Sequence, residues 1–166
     1  MEPPRIVEFS GKELSGVRRR MSLADDRTSE LWRGFRSRLA EALTRPMTAY
    51  SVRIYGEDHS FAGFDPAEEF DKWAAIESDL NVAIPKNFET VVIPPGRYAV
   101  FKHKGTAMDA PKTFMRIFGV WLPTSGYEVD SRPHFEILPP SYDPFDPNAE
   151  EEVWLPIRKG QEESTL

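Results

Sequence analysis

Apolar and polar positions along the chain alternate, then recur at helical spacing, then alternate again, and this order occurs twice. From Arg5 to Ser22 the apolar residues Ile6, Val7, Phe9, Leu14, Val17 and Met21 predict extended chain, broken near Ser10-Gly11. Asp25 or Asp26 can then cap a helix on which Leu31, Trp32, Phe35, Leu39 and Leu43 form one stripe, ended by Arg45-Pro46. Tyr50 to Tyr55 alternates as a strand rich in β-formers. Phe70 to Glu77 is a second strand candidate, although a short apolar stretch starting in Glu68-Glu69 is also compatible with a helix.

The second half follows the same order. Phe88 to His103 is strand-like around an interruption at Pro94-Pro95-Gly96, with Arg97 to Phe101 its clearest part. A helix is predicted from about Asp109 to Leu122, with Asp109 as N-cap, Pro111 in the first turn, and Phe114, Ile117, Phe118, Trp121 and Leu122 on the apolar face. Pro123 and Gly126 should stop it. His134 to Leu138 alternates as a strand, and Val153 to Ile157 closes the pattern as another. Strand, helix, strand, strand, twice over, predicts an α+β domain made of a duplicated unit, each helix covering one face of an antiparallel sheet. The repeats run over about residues 5–80 and 86–158 of one domain covering 1–166. The prolines, 15 in all, fall mostly between the periodic segments, where a residue without a backbone donor belongs.

Composition narrows the chemistry. A net charge of −6 argues against nucleic acid as a default partner, and the short run Arg18-Arg19-Arg20 is expected at a solvated strand edge. The absence of cysteine removes disulfides, thiol nucleophiles and cysteine-type zinc sites. No signal peptide and no membrane-length apolar run are present, so a cytoplasmic protein is expected. Dinucleotide, phosphate-loop, nucleophile-elbow and zinc-protease motifs are missing. His59, His103 and His134 lack metal-ligand spacing, and the acidic loop Pro139 to Glu152 lacks a calcium-loop pattern, so neither metal nor cofactor is expected.

One acid stands out by position. If Phe135 and Ile137 pack beneath a helix together with Val153, Leu155 and Ile157, then Glu136 and Trp154 share the opposite face. A carboxylate beside aromatic rings suits an organic cation through charge pairing and cation-π attraction. In apolar surroundings it could instead hold a raised pKa and act as an acid or base. Alternation alone equally allows a solvent-facing glutamate.

The string Tyr98-Ala99-Val100-Phe101-Lys102-His103-Lys104-Gly105 resembles the strand-to-glycine motif of GyrI-like effector-binding domains. The helix ending Trp121-Leu122-Pro123, then Ser125-Gly126-Tyr127, Pro133, Phe135-Glu136 and the closing strand Val153 to Ile157 follow in the same order. The match covers roughly residues 88 to 158, with a looser match in the first half. The resemblance implies a pseudo-twofold fold with a ligand cleft between its halves. It makes Glu136 the carboxylate that contacts cationic ligands, or takes part in chemistry in the family's hydrolases. It offers Trp121 and Trp154 as cleft aromatics and, by element order, Tyr50, Trp73 and Tyr98. Residues 1 to 24 are too short and strand-like for a helix-turn-helix, so direct nucleic-acid binding is not expected. The implied roles are capture or sensing of an amphipathic cation, hydrolysis of a strained or electrophilic molecule, or modulation of a protein partner such as gyrase or a regulator. The chain would act as a monomer or homodimer.

Overall fold

The computed structural model describes residues 2–42, 46–56, 59, 65–80 and 83–160. Its strands are β1 (Arg5–Phe9), β2 (Lys12–Ser22), β3 (Ala49–Ile54), β4 (Glu69–Glu77), β5 (Glu89–Ile93), β6 (Gly96–Lys104), β7 (Tyr127–Val129), β8 (His134–Leu138) and β9 (Glu150–Lys159). The helices are α1 (Thr28–Ala42), α2 (Ala110–Arg116) and α3 (Leu122–Ser125). Phe70 to Glu77 is thus a strand. Leu43 and Arg45, expected at the end of the first helix, lie outside the described residues.

The strands form one antiparallel sheet in the order β1-β6-β9-β8-β3-β4-β2-β5, with β7 paired to β9. Read from either end, the order is the same: β2-α1-β3-β4 corresponds to β6-α2-β8-β9, each preceded by one further strand. The two units meet where β3 pairs β8, in the middle of the sheet.

Both faces of the sheet are apolar. Leu31 and Phe35 of α1 pack on Val17, Met21, Phe70, Ala74 and Ile76 of the sheet. Ala99, Phe101, Ile117, Val153, Leu155 and Ile157 lie under α2, on the same side. The opposite face carries a third cluster that includes Tyr50, Trp73, Tyr98, Phe135 and Trp154. Connectivity explains how that face is covered. β1 and β2 stand near opposite ends of the strand order, yet only Ser10 and Gly11 separate them. Such a link spans about 10 Å, so the sheet curls until its ends approach. Gly11 permits the turn with φ +93°. Phe9 of β1 packs inside the curl, with its ring centroid 5.4–5.7 Å from those of Tyr98, Phe135 and Trp154.

The second helical run departs from the expected plan in two ways. It starts earlier, in a single turn Ala107–Asp109, where the Asp109 carboxylate accepts from the Thr106 N–H at 3.3 Å and hydroxyl at 3.0 Å. Thr106 caps this turn, while Asp109 stands, as expected, at the N-cap of α2, without a side-chain capping bond there. The run also passes Pro123: a wide turn, Ile117–Trp121, follows α2, and Pro123 sits in the first turn of α3, where its missing N–H costs little. Gly126, at φ +79°, ends the run in the left-handed conformation. Among the described residues no helix is long and apolar enough to cross a membrane.

Candidate functional site

The two central strands, β3 and β8, pass between α1 and α2. Their side chains on the helix face are polar: Ser51 and Arg53 from β3, His134 and Glu136 from β8, with Ser51 directly opposite Glu136 and Arg53 opposite His134. Lys72 of β4 and Glu151 of β9 flank them, and Tyr142 of the 139–149 loop interacts with Glu151. A row of charged groups therefore runs along the junction of the two units, between the apolar clusters under α1 and α2, and this strip between the helices is termed the groove.

Glu136 is buried, its side chain 10% exposed, and its Oε1 accepts a hydrogen bond of 3.0 Å from an Arg53 terminal nitrogen. The Arg53 guanidinium lies over the Phe114 ring of α2 at 4.9 Å. This is a planar cation held between a carboxylate and an aromatic face. The pairing is half complete: Glu136 Oε2 and Arg53 Nε are both buried without a hydrogen-bond partner.

Burial and neighbouring charges shift most of the groups around this pair. Burial is the largest influence on Arg53 and works against its charge, but Glu136, Tyr55 and Glu151 together outweigh it and the Arg53 pKa is raised. Lys72, whose Nζ donates to Thr28 Oγ1 at 3.0 Å, is lowered by burial and by Arg53 against the pull of Glu136, Asp26 and Glu151. Burial, then the Glu136 charge, push Glu151 up to about 7. Tyr142 is pushed up to about 12 by burial and by Glu151. His134 falls well below the usual histidine value through burial, Arg53 and His59, and is therefore neutral at pH 7.

The expected pairing of Glu136 with Trp154 is overturned. Directly opposed residues of antiparallel strands share a face, and the register sets Phe135 against Trp154 and Glu136 against Val153. Val153, Leu155 and Ile157 do pack under a helix, but Phe135 and Ile137 face the other way. Trp154 stacks on Phe135 at 5.1 Å, inside the curled sheet. Tyr50, Trp73 and Tyr98 lie on that same interior face. The Tyr50 hydroxyl donates to Glu77 at 2.7 Å, and the Tyr98 hydroxyl to the Pro133 carbonyl at 2.8 Å. Trp121 follows α2 but packs edge-on against Phe101 and stacks on Tyr127. Of the residues singled out by sequence, Glu136 alone sits among the charged groups of the groove.

Arg53, Lys72, Glu151, Tyr142 and Phe114 were not anticipated there. Alternation along Tyr50-Ser51-Val52-Arg53 does put Arg53 on the face away from the apolar residues, which is a usable signal once β3 is known to pair β8. Glu151 was masked by its acidic loop: β9 begins at Glu150, not Val153. Each residue of the Arg18 to Arg20 run has acidic partners, Glu89, Glu30, and Glu69 with Asp71. Among the histidines, His103 is a tie between β6 and α2, with ring nitrogens 2.6 Å from Thr113 Oγ1 and 3.1 Å from the Thr106 carbonyl. Among the described residues no cluster of three or more potential metal ligands occurs.

The twofold-repeated antiparallel sheet with helices on one face is the architecture of small-molecule-binding domains of the effector-binding class, and the match to a family model assigns the chain to that class. The model of the GyrI-like small molecule binding domain matches residues 2–158, and the chain belongs to that family. The transcriptional regulator BrlR of Pseudomonas aeruginosa is 28% identical over 159 residues, covering 92% of this chain and 54% of the regulator. The chain thus spans about half the length of that relative. Among solved structures, SAV2435 bound to tetraphenylphosphonium superposes with a TM-score of 0.72 at 15% identity, covering 95% of this chain and 94% of that one. An integron cassette protein from the mobile metagenome of Vibrio cholerae gives 0.67 at 18% identity, covering 95% and 97%.

Proposed function

We propose that the groove between α1 and α2 binds an amphipathic organic cation, with Glu136 as the carboxylate that receives its charge, and that binding serves sensing or sequestration. The observation that carries this reading is the state of Glu136: central, buried, with one oxygen unclaimed and the other already holding a planar cation against an aromatic ring. Phe114 replaces the aromatics expected from the sequence. The tetraphenylphosphonium named for SAV2435 supplies a probe. Calorimetric titration of tetraphenylphosphonium into wild type and Glu136→Gln should show affinity about tenfold weaker in the variant, as expected for loss of a charge-assisted contact. Equal affinity in both proteins overturns the assignment.

A catalytic reading has support of its own in Glu151, whose value near 7 suits an acid or base at neutral pH and which has the Tyr142 hydroxyl as neighbour. Turnover of strained-ring or electrophilic esters by wild type, lost in Glu151→Gln, would establish it. Binding without turnover across such a panel removes it.

A further inference from the structure

We infer that Arg53 is an internal ligand of the groove: its guanidinium occupies the place of the ligand's cation, and an incoming cation binds by exchange with it. This rests on the reading that Glu136 is the ligand carboxylate. Arg53 makes both contacts a bound organic cation would make, the 3.0 Å hydrogen bond to Glu136 and the 4.9 Å approach to the Phe114 ring. It is also the more exposed partner, its side chain 18% exposed against 10% for Glu136.

The incomplete pairing makes exchange feasible. A guanidinium and a carboxylate can form two parallel hydrogen bonds, and here one forms while Arg53 Nε and Glu136 Oε2 stay buried and unpartnered. A ligand that engages both Glu136 oxygens satisfies an acceptor that the resting state leaves empty, while the displaced guanidinium regains water for all its donors. The chemistry favoured is therefore a planar cation bearing N–H donors, an amidinium or guanidinium, on an apolar body that can lie against Phe114. Lys72, lowered by its surroundings and held by Thr28, stays behind to balance Glu151 when Arg53 leaves.

The test compares tetraphenylphosphonium and benzamidinium binding to wild type, Arg53→Met, Glu136→Gln and the double variant. Removing the internal competitor should tighten both cations about tenfold in Arg53→Met, and the gain should vanish when Glu136→Gln is added. Unchanged or weaker binding to Arg53→Met, with Glu136→Gln still weakening wild type, overturns the exchange and leaves the Glu136 assignment standing. No effect of Glu136→Gln in wild type or in the Arg53→Met background overturns the assignment itself. A second measurement needs no variant: in ¹⁵N-labelled wild type, the Arg53 Nε–H should lose its protection from solvent exchange as benzamidinium saturates the protein. An Arg53 signal unmoved at saturation overturns the proposal even if Arg53→Met fails to fold.

Discussion

Glu151 couples the groove to pH. Its carboxyl keeps a proton up to about pH 7 in the folded chain against an ordinary value of 4.5. The folded state therefore binds the extra proton between those values, so the stability this group contributes is full below its ordinary pKa and is lost as pH rises through the folded one. Urea midpoints of wild type should fall across that interval relative to those of Glu151→Gln, in which the position no longer titrates. Parallel pH profiles for the two proteins would remove Glu151 as the cause. The neighbouring Arg53–Glu136 pair obeys a different rule, because breaking one side strands the other charge. Arg53→Met alone should cost about 3 kcal/mol, and Arg53→Met with Glu136→Leu less than the sum of the two single changes. A double-mutant cycle in urea measures this, and strict additivity contradicts it. What hid these residues in the sequence is pairing: Arg53 and Glu136 lie 83 positions apart, and neither strand announces its neighbour.

Among the elements, strand positions were more legible than strand faces. Period-two alternation marks β8 well, yet both sides of this sheet are covered by apolar clusters. Alternation then fixes which residues share a face but not which face meets the helices. That ambiguity sent Trp154 and Glu136 to the same side on paper, and the β8–β9 register separates them. The helix stripe was clearer, since only one face of α1 is apolar, and Gly126 was a dependable stop. Two local contacts can be tested directly. Thr113→Val leaves the buried His103 Nδ1 without its 2.6 Å partner and should cost about 1–3 kcal/mol in urea unfolding. Gly16 lies where a Cβ would meet the Ala74 carbonyl oxygen at 2.0 Å and the Ala75 Cα at 2.7 Å, both backbone atoms that cannot swing aside. Gly16→Ala should therefore destabilise by about 3 kcal/mol or more, the upper end for overpacking, and an unchanged urea midpoint would refute the close approach.

For the molecule as a whole, the curl of the sheet joins the two repeats more firmly than their central pairing alone. β1 is hydrogen-bonded to β6 of the second unit and continues directly into β2 of the first. Phe9 fills the interior between them. Phe9→Ala should lower the thermal midpoint, consistent with about 1–3 kcal/mol for a partly buried ring packed against the core, and should loosen the near-ultraviolet dichroism of Trp154 packed beside it. A variant retaining the wild-type spectrum and midpoint would show that the ring is dispensable. The repeated element order was visible in the sequence because each unit carries its own strand-helix-strand-strand pattern. The closure was not, because it depends on which strands meet.

The same closure bears on how copies of the chain behave in crowded solution. An open sheet end is a template on which another molecule can add a strand. β5 covers β2 only over Lys12 to Gly16, and among the described residues the outer side of the following stretch pairs with no strand. That stretch bears Arg18, Arg19 and Arg20, charged side chains of the kind that discourage strand addition, each of them ion-paired within the chain. The run expected at a solvated strand edge thus lies on the stretch of β2 that β5 leaves uncovered, where charged side chains are the usual means of discouraging edge-to-edge pairing.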